Sequence, residues 1–332
     1  MPWSEPAAIA ALAAGSLLLS VLCTRWAWGH ARRRGLLDIP GVRRSHVLPT
    51  PRGGGVGIAA VGLVAFGMLA FWVDSAWLPA GVGLLLVASA GWWDDHRPLP
   101  AWPRLLAQLA AGVCLASALA WQGAPLPVAV AAGLLVPIFV NVWNFIDGID
   151  GIAVTQALLW ALALAWMAAG PARLLAIATA AACVGFLPFN FPRARIFLGD
   201  VGSGALGYLL ATASAAVMAT VPPERWPLLY LPASACLVDS GLTLAVRMVR
   251  GERWWQPHVQ HLYQRLARRV GHPLVTLGYA GWTVGAIGIM LAMSDANAGV
   301  VGIGTLAFAA AAITMWSHLR RRCMEGHEEV GQ

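Results

Sequence analysis

Carboxylates, amides and basic side chains fall into a few short groups within an otherwise apolar chain, and each group holds residue types suited to phosphate or a hard metal ion. The densest is Asn141-Val142-Trp143-Asn144-Phe145-Ile146-Asp147-Gly148-Ile149-Asp150-Gly151, at the end of an apolar run. Asp147 and Asp150 are three apart, so a continuing helix puts both on one face. Gly148 and Gly151 instead permit a tight break that presents backbone N–H groups beside the acids. Either arrangement suits Mg2+, which takes hard oxygen ligands, uses one or two carboxylates and completes its shell with water and substrate phosphates. Unpaired carboxylates at this depth cost several kcal/mol each, so a cation partner is expected.

The other groups carry related chemistry. Trp92-Trp93-Asp94-Asp95-His96-Arg97 closes a second apolar run with adjacent acids. In a soluble protein that pair is solvated punctuation; its recurrence at the ends of apolar runs here favours a site. In the stretch Asn190-Phe191-Pro192-Arg193-Ala194-Arg195-Ile196-Phe197-Leu198-Gly199-Asp200-Val201-Gly202-Ser203, Asp200 sits between glycines at a helix start. A metal-binding carboxylate there adjoins N–H donors that favour phosphate, the plain alternative being a helix N-cap. His46-Val47-Leu48-Pro49-Thr50-Pro51-Arg52-Gly53-Gly54-Gly55 joins an arginine fork to three glycines that let the backbone approach an anion; a flexible interfacial turn is the alternative. With no strand predicted before these glycines and a membrane span after them, they make a poor dinucleotide-binding fingerprint. His258 and His261, three apart in an arginine-rich loop, lack a third ligand for a transition metal and read as phosphate or nucleotide contacts. Asp239, with Arg247 two turns on, is open equally to a structural pairing and a site role.

The elements that position these groups are membrane-spanning helices. Of 332 residues, 59% are hydrophobic and 11% charged, against roughly 25% charged in soluble domains. The whole of 1–332 therefore reads as one all-α integral membrane domain, a polytopic helical bundle with catalytic loops. Segments of about 20 apolar residues, the length that crosses the hydrocarbon core, fall near 5–26, 55–73, 77–93, 104–122, 126–144, 152–169, 172–189, 203–221, 227–248, 274–293 and 297–317, about eleven spans. The chain has no lysine, and with the loop after the first span placed inside, 20 of its 22 arginines share that side, leaving Arg173 and Arg225 outside. This bias predicts an outside N-terminus, an inside C-terminus and every polar group above on the cytoplasmic face. Tryptophans at span ends, such as Trp26, Trp72, Trp92, Trp121 and Trp226, suit the headgroup layer. The N-terminus lacks the basic start and cleavage site of a signal peptide. The five cysteines are scattered without metal-ligand spacing and read as packing residues. A net charge of +7 spread over several loops fits anionic lipid and phosphorylated substrates rather than nucleic acid.

In this order the segments Pro-Thr-Pro-Arg-Gly-Gly-Gly, Asp-Asp, Asn-x-x-Asn-x-x-Asp-Gly-x-Asp-Gly and Ile-Phe-Leu-Gly-Asp-Val-Gly-Ser resemble those of the polyprenyl-phosphate N-acetylhexosamine-1-phosphate transferase family, from His46 to Arg265. The resemblance implies transfer of a sugar-1-phosphate from a UDP-N-acetylaminosugar to undecaprenyl phosphate in a bacterial inner membrane. The implied cofactor is Mg2+, with Mn2+ as substitute, and the other expected partners are membrane lipid and, as an option, a second copy in a homodimer. It implies that Asp94 and Asp95 are the paired catalytic acids, Asp94 activating the lipid phosphate. Asp200, with Asp95, would hold the metal, and Asp147 and Asp150 are further catalytic acids. His46, Arg52, Asn144, Asn190, Arg195, His258 and His261 are the implied substrate contacts. Where many members carry Asp-Arg-x-His-Leu-His-His, this chain has His258-Val259-Gln260-His261-Leu262-Tyr263-Gln264. That departure resembles a branch that initiates O-antigen or capsule-like glycans with less common N-acetylaminosugars. An anionic-solute transporter is the competing class, but its site would lie near the midplane between repeated halves. A non-catalytic scaffold is a third reading, against which the intact Asp94, Asp95 and Asp200 weigh.

Overall fold

The computed structural model describes residues 5–39, 41, 48–253, 256 and 258–328. Among the described residues thirteen α-helices run in chain order: α1 Pro6–Arg34, α2 Val56–Trp72, α3 Leu78–His96, α4 Ala101–Trp121, α5 Leu126–Ile146, α6 Ile152–Met167, α7 Gly170–Asn190, α8 Gly199–Met218, α9 Trp226–Tyr230, α10 Ser234–Val249, α11 Leu262–Val270, α12 His272–Ala292 and α13 Ala298–Glu328. Eight of them, α3 counted with the turn before it, are long and apolar enough to cross a membrane. α2 and α6 are apolar but shorter, at 17 and 16 residues. At about 1.5 Å per residue, α6 reaches only about 24 Å. These helices, with α9 and α10 taken together, follow the eleven predicted spans in order.

The predicted span 227–248 is not one straight helix: α9 and α10 meet at 81°. Pro232 lies in the break, and without an N–H it cannot continue the helical ladder. A neighbouring helix satisfies one freed carbonyl, as Trp160 Nε1 donates to Leu229 O at 2.7 Å, and the Thr283 hydroxyl lies 3.3 Å from Pro232 O. Inside protein such an interruption is tolerated because the loosened backbone keeps its hydrogen bonds.

α8 is the axis of the bundle, buried from Val201 to Met218. Its glycines, alanines and serines let α2, α3 and α5 approach closely, where apolar packing rather than the hydrophobic effect holds helices in lipid. At Gly55, just before α2, an added Cβ would stand 2.1 Å from Gly202 Cα. The glycines of the 52–55 stretch thus serve helix packing. Gly54 N donates to Phe197 O at 2.9 Å and Gly55 N to Leu198 O at 2.8 Å, so neither N–H is available to an anion, contrary to the expectation from sequence. A two-residue antiparallel pairing of Leu37–Asp38 with Thr50–Pro51, and a bond from Phe197 N to Pro51 O at 2.8 Å, complete the platform that carries Arg52.

Candidate active site

Alternation of the helices brings the ends of α3, α5 and α7 to the same face as the starts of α6, α8 and α12, and a cleft of about 530 Å3 opens there. Arg52, Asp95, Asn144, Asp147, Asp150, Asn190, Asp200 and His258 all line it, together with Asp38, Gln264 and Arg268.

The acids differ in what already holds them. Asp95, 2% exposed at the end of α3, accepts Asp200 N–H at 3.0 Å and Val201 N–H at 3.1 Å, one on each carboxylate oxygen. It therefore caps the N-terminus of α8, where backbone donors and helix dipole favour a negative charge. Asp200, the first acid of α8, accepts the Asn144 amide and lies 3.7 Å from Arg104 Nη1. Asp94 is buried but does not line the cleft: its carboxylate pairs with Arg104 Nη1 at 3.1 Å and accepts Leu99 N–H. Its backbone carbonyl faces Arg52 Nη2 at 3.5 Å.

The 147–151 turn is held from outside α5 and α6. Asp150 Oδ2 lies 3.3 Å from His272 Nδ1, and Asp150 O accepts Thr276 Oγ1 at 2.8 Å. Tyr263 Oη donates to Phe145 O at 2.8 Å. Withdrawal from water, reinforced by the charges of Asp200, Asp95 and Asp150, pushes the Asp147 carboxyl well above the usual carboxylate range. Five carboxylates line the cleft against the guanidiniums of Arg52 and Arg268, an excess of negative charge that a divalent cation answers. Among the described residues, no three His, Cys, Asp or Glu side chains enclose a metal ion by themselves. The donor set suits a hard ion that takes one or two carboxylates and finishes its shell on phosphates.

The remaining predicted contacts separate. Asn190, 3% exposed, accepts Gly151 N–H at 2.9 Å and donates to Ile196 O at 3.0 Å, clasping the acidic turn to the loop before α8. Arg195 is turned away from the cleft: it is exposed, lies over the Phe189 ring at 5.3 Å and donates to Pro188 O. Its expected contact with substrate is thus not met in this geometry, because its guanidinium is taken up by the last turn of α7. His261 is buried between Phe145 and Tyr263, with ring centroids at 5.7 and 5.8 Å, and does not line the cleft. His258 faces the cleft, and burial together with His261 and Arg247 pushes its ring down to about 4. It is neutral at pH 7 and offers a hydrogen bond rather than a charge. His46 lies outside the described residues.

Asp239 is structural. Its two oxygens accept Leu262 N–H at 2.8 Å, Tyr263 N–H at 3.1 Å, Tyr279 Oη at 2.9 Å and Trp316 Nε1 at 3.0 Å, tying α10 to α11, α12 and α13. Arg247 does not pair with it. Arg247 instead bonds Glu252 at 2.9 Å and the carbonyls of Arg253 and Gln256 at 3.1 Å, fixing the loop after α10. Asp38, Arg104, Gln264, Arg268 and His272 escaped the reading from sequence. Arg104 carried a signal in its closeness to the Asp94-Asp95 pair, whereas nothing local links His272 to Asp150, 122 positions away.

Residues 77–218, which include all five acids of the three central motifs, match the model of Glycosyl transferase family 4. The decaprenyl-phosphate N-acetylglucosaminephosphotransferase of Mycobacterium tuberculosis is 30% identical, over 77% of this chain and 75% of that protein. A phospho-N-acetylmuramoyl-pentapeptide-transferase of a Synechococcus species is 32% identical over 70% of this chain and 72% of its own length. The probable undecaprenyl-phosphate N-acetylglucosaminyl 1-phosphate transferase of Bacillus subtilis is 30% identical over 60% of each.

Proposed function

Because the chain belongs to glycosyl transferase family 4 and to its polyprenyl-phosphate sugar-1-phosphate transferases, we propose that it moves an N-acetylaminosugar-1-phosphate from a UDP-sugar to undecaprenyl phosphate. The products are a lipid diphosphate sugar and UMP. The observation that carries this reading is the cleft at the arginine-rich face, where Asp95, Asp147, Asp150 and Asp200 meet Arg52. A transporter site would instead lie near the midplane.

Two anionic substrates, one soluble and one lipid, have to meet there. Arg52 and Arg268 line the same cleft and supply donors to phosphate oxygens. Mg2+, or Mn2+ in its place, held by Asp200 and Asp95 together with the donor's phosphates, would neutralise the diphosphate and stabilise the leaving UMP. Asn144 keeps the Asp200 carboxylate turned to the cleft. A lipid phosphate oxygen attacks the sugar-bearing phosphorus in line, the new P–O bond forms as the bond to UMP breaks, and the electron pair leaves with UMP. A phosphate monoester has its second pKa near 6, so at neutral pH the attacking oxygen already carries its charge. Asp94 is the acid we assign to take the proton from a lipid phosphate that arrives protonated; because its carboxylate is held by Arg104 behind the cleft lining, that phosphate has to draw Arg104 away to reach it.

We place the cleft on the cytoplasmic side of a bacterial inner membrane, from the grouping of 20 of 22 arginines. The altered His258–Gln264 loop makes a less common N-acetylaminosugar, and an O-antigen or capsule-like product, the favoured donor and pathway, with N-acetylglucosamine the first comparison. The test is purified protein with undecaprenyl phosphate, Mg2+ and a panel of UDP-N-acetylaminosugars, scored for UMP and lipid diphosphate sugar. Turnover with one donor is the expected result, and no turnover with any of them by folded protein refutes it. A phosphosugar trapped on an aspartate would replace direct attack by a two-step route.

A further inference from the structure

Arg320, near the arginine-rich end of α13, is 4% exposed, yet both terminal nitrogens of its guanidinium are buried without a hydrogen-bond partner among the described residues. It lies over the Trp316 ring at 4.7 Å. Its charge is opposed by those of Arg265 on α11 and Arg250 at the end of α10, two elements packed against α13, and favoured by those of Asp239 and Glu252. Neither acid serves its donors. Asp239 is filled by donors from α10, α11, α12 and α13, and Glu252 by Arg247 and Gln260, both at 2.9 Å. A buried guanidinium without a partner is costly, and three arginines against two engaged acids leave an excess of positive charge.

Beneath this cluster the same face of α13 turns apolar. Trp316 and Leu319 line a groove of about 340 Å3 with Leu266 and Val270 of α11 and Leu274 and Gly278 of α12. Leu274 is 60% and Val270 51% exposed, so the groove opens on the outer surface of the bundle. No residue of the groove, nor Arg320, Arg265 or Arg250, lines the acidic cleft.

We propose that the corner between α10, α11, α12 and α13 binds one anionic phospholipid of the surrounding bilayer, with an acyl chain in the groove and the phosphate over the more exposed Arg265 and Arg250, within reach of the buried charge of Arg320. The charge complement selects a headgroup of net negative charge, and the groove accommodates part of one acyl chain rather than the long chain of a polyprenyl acceptor. This site stands independently of the transferase chemistry.

The experiment uses the full chain, purified in detergent, loaded with phosphatidylglycerol or phosphatidylcholine and examined by native mass spectrometry and thermal unfolding. Wild type retains one phosphatidylglycerol and gains thermal midpoint from it, and phosphatidylcholine does neither. Arg320→Met loses the retained lipid and the gain. Without added lipid its midpoint equals or exceeds that of wild type, because an unpaired buried charge has been replaced by an apolar side chain. Gly278→Phe, at a position with nothing within 4 Å of an added Cβ, fills the groove, leaves the arginines in place and also loses the lipid. Undiminished retention by either variant overturns the proposal, as does equal retention of phosphatidylcholine. A lower lipid-free midpoint for Arg320→Met makes Arg320 a structural counter-ion of Asp239 and overturns it too. Release of the bound phosphatidylglycerol by one equivalent of polyprenyl phosphate overturns the assignment to bilayer lipid.

Discussion

Asp95 and Asp200 face one cleft but answer to different partners, and their isosteric variants should separate in stability while agreeing in activity. In Asp95→Asn one carboxylate oxygen becomes an NH2 group that faces a buried backbone N–H of α8, where Asp200 N or Val201 N now has an acceptor at 3.0 or 3.1 Å. Leaving such a donor unsatisfied costs about 1–3 kcal/mol. Asp200→Asn keeps an oxygen for the Asn144 amide and gives up only the 3.7 Å approach of the part-exposed Arg104. Each variant removes one negative charge from the same group of acids, so the relief of their repulsion largely cancels in the comparison. Asp95→Asn is therefore expected to be less stable than Asp200→Asn by about 1–3 kcal/mol, and both are expected to lose UMP release. Tryptophan fluorescence during thermal unfolding in detergent, without divalent ions, reads the first quantity, and the donor-panel assay reads the second. An Asp95→Asn midpoint at or above that of Asp200→Asn refutes the helix-capping role of Asp95.

Gly148→Ala should abolish turnover, since its Cβ would stand 2.1 Å from Tyr263 Oη; adding Tyr263→Phe, which removes that oxygen, should restore part of it, and a double variant no better than the single one defeats the steric argument. His272→Ala should loosen the turn that carries Asp150, raising amide hydrogen exchange in 147–155 and lowering kcat more than it raises KM, while His272→Asn retains an acceptor for the Asp150 N–H and most of the activity; unchanged exchange and kcat would remove His272 from any positioning role. His258, pushed down to about 4 from 6.5, refuses a proton that the unfolded chain accepts, so stability is present above pH 6.5 and declines as pH falls toward 4. His258→Gln should show a smaller loss of thermal midpoint between pH 7 and pH 5 than wild type, and an identical loss contradicts the assignment.

The amino-acid sequence by itself determined the membrane architecture, the common face of the polar groups and the membership of Asp95, Asp147, Asp150 and Asp200 in one acidic site. Hydropathy, charge bias and motif order are properties of short windows, and a helix crossing lipid keeps its backbone hydrogen bonds within such a window. What only the tertiary structure decided is what each polar group does there. Asp94 and Asp95 are adjacent in the chain, yet one meets Arg104 and the other caps a helix 105 positions away. Asn190 became a clasp on the acidic turn, Arg195 turned to the last turn of α7, Asp239 became the tie between four helices, and His272 and Thr276 came to hold Asp150 from α12. A buried carboxylate takes its role from the donors that reach it, and those donors come from helices whose neighbourhood is set by packing around α8, which no local window contains.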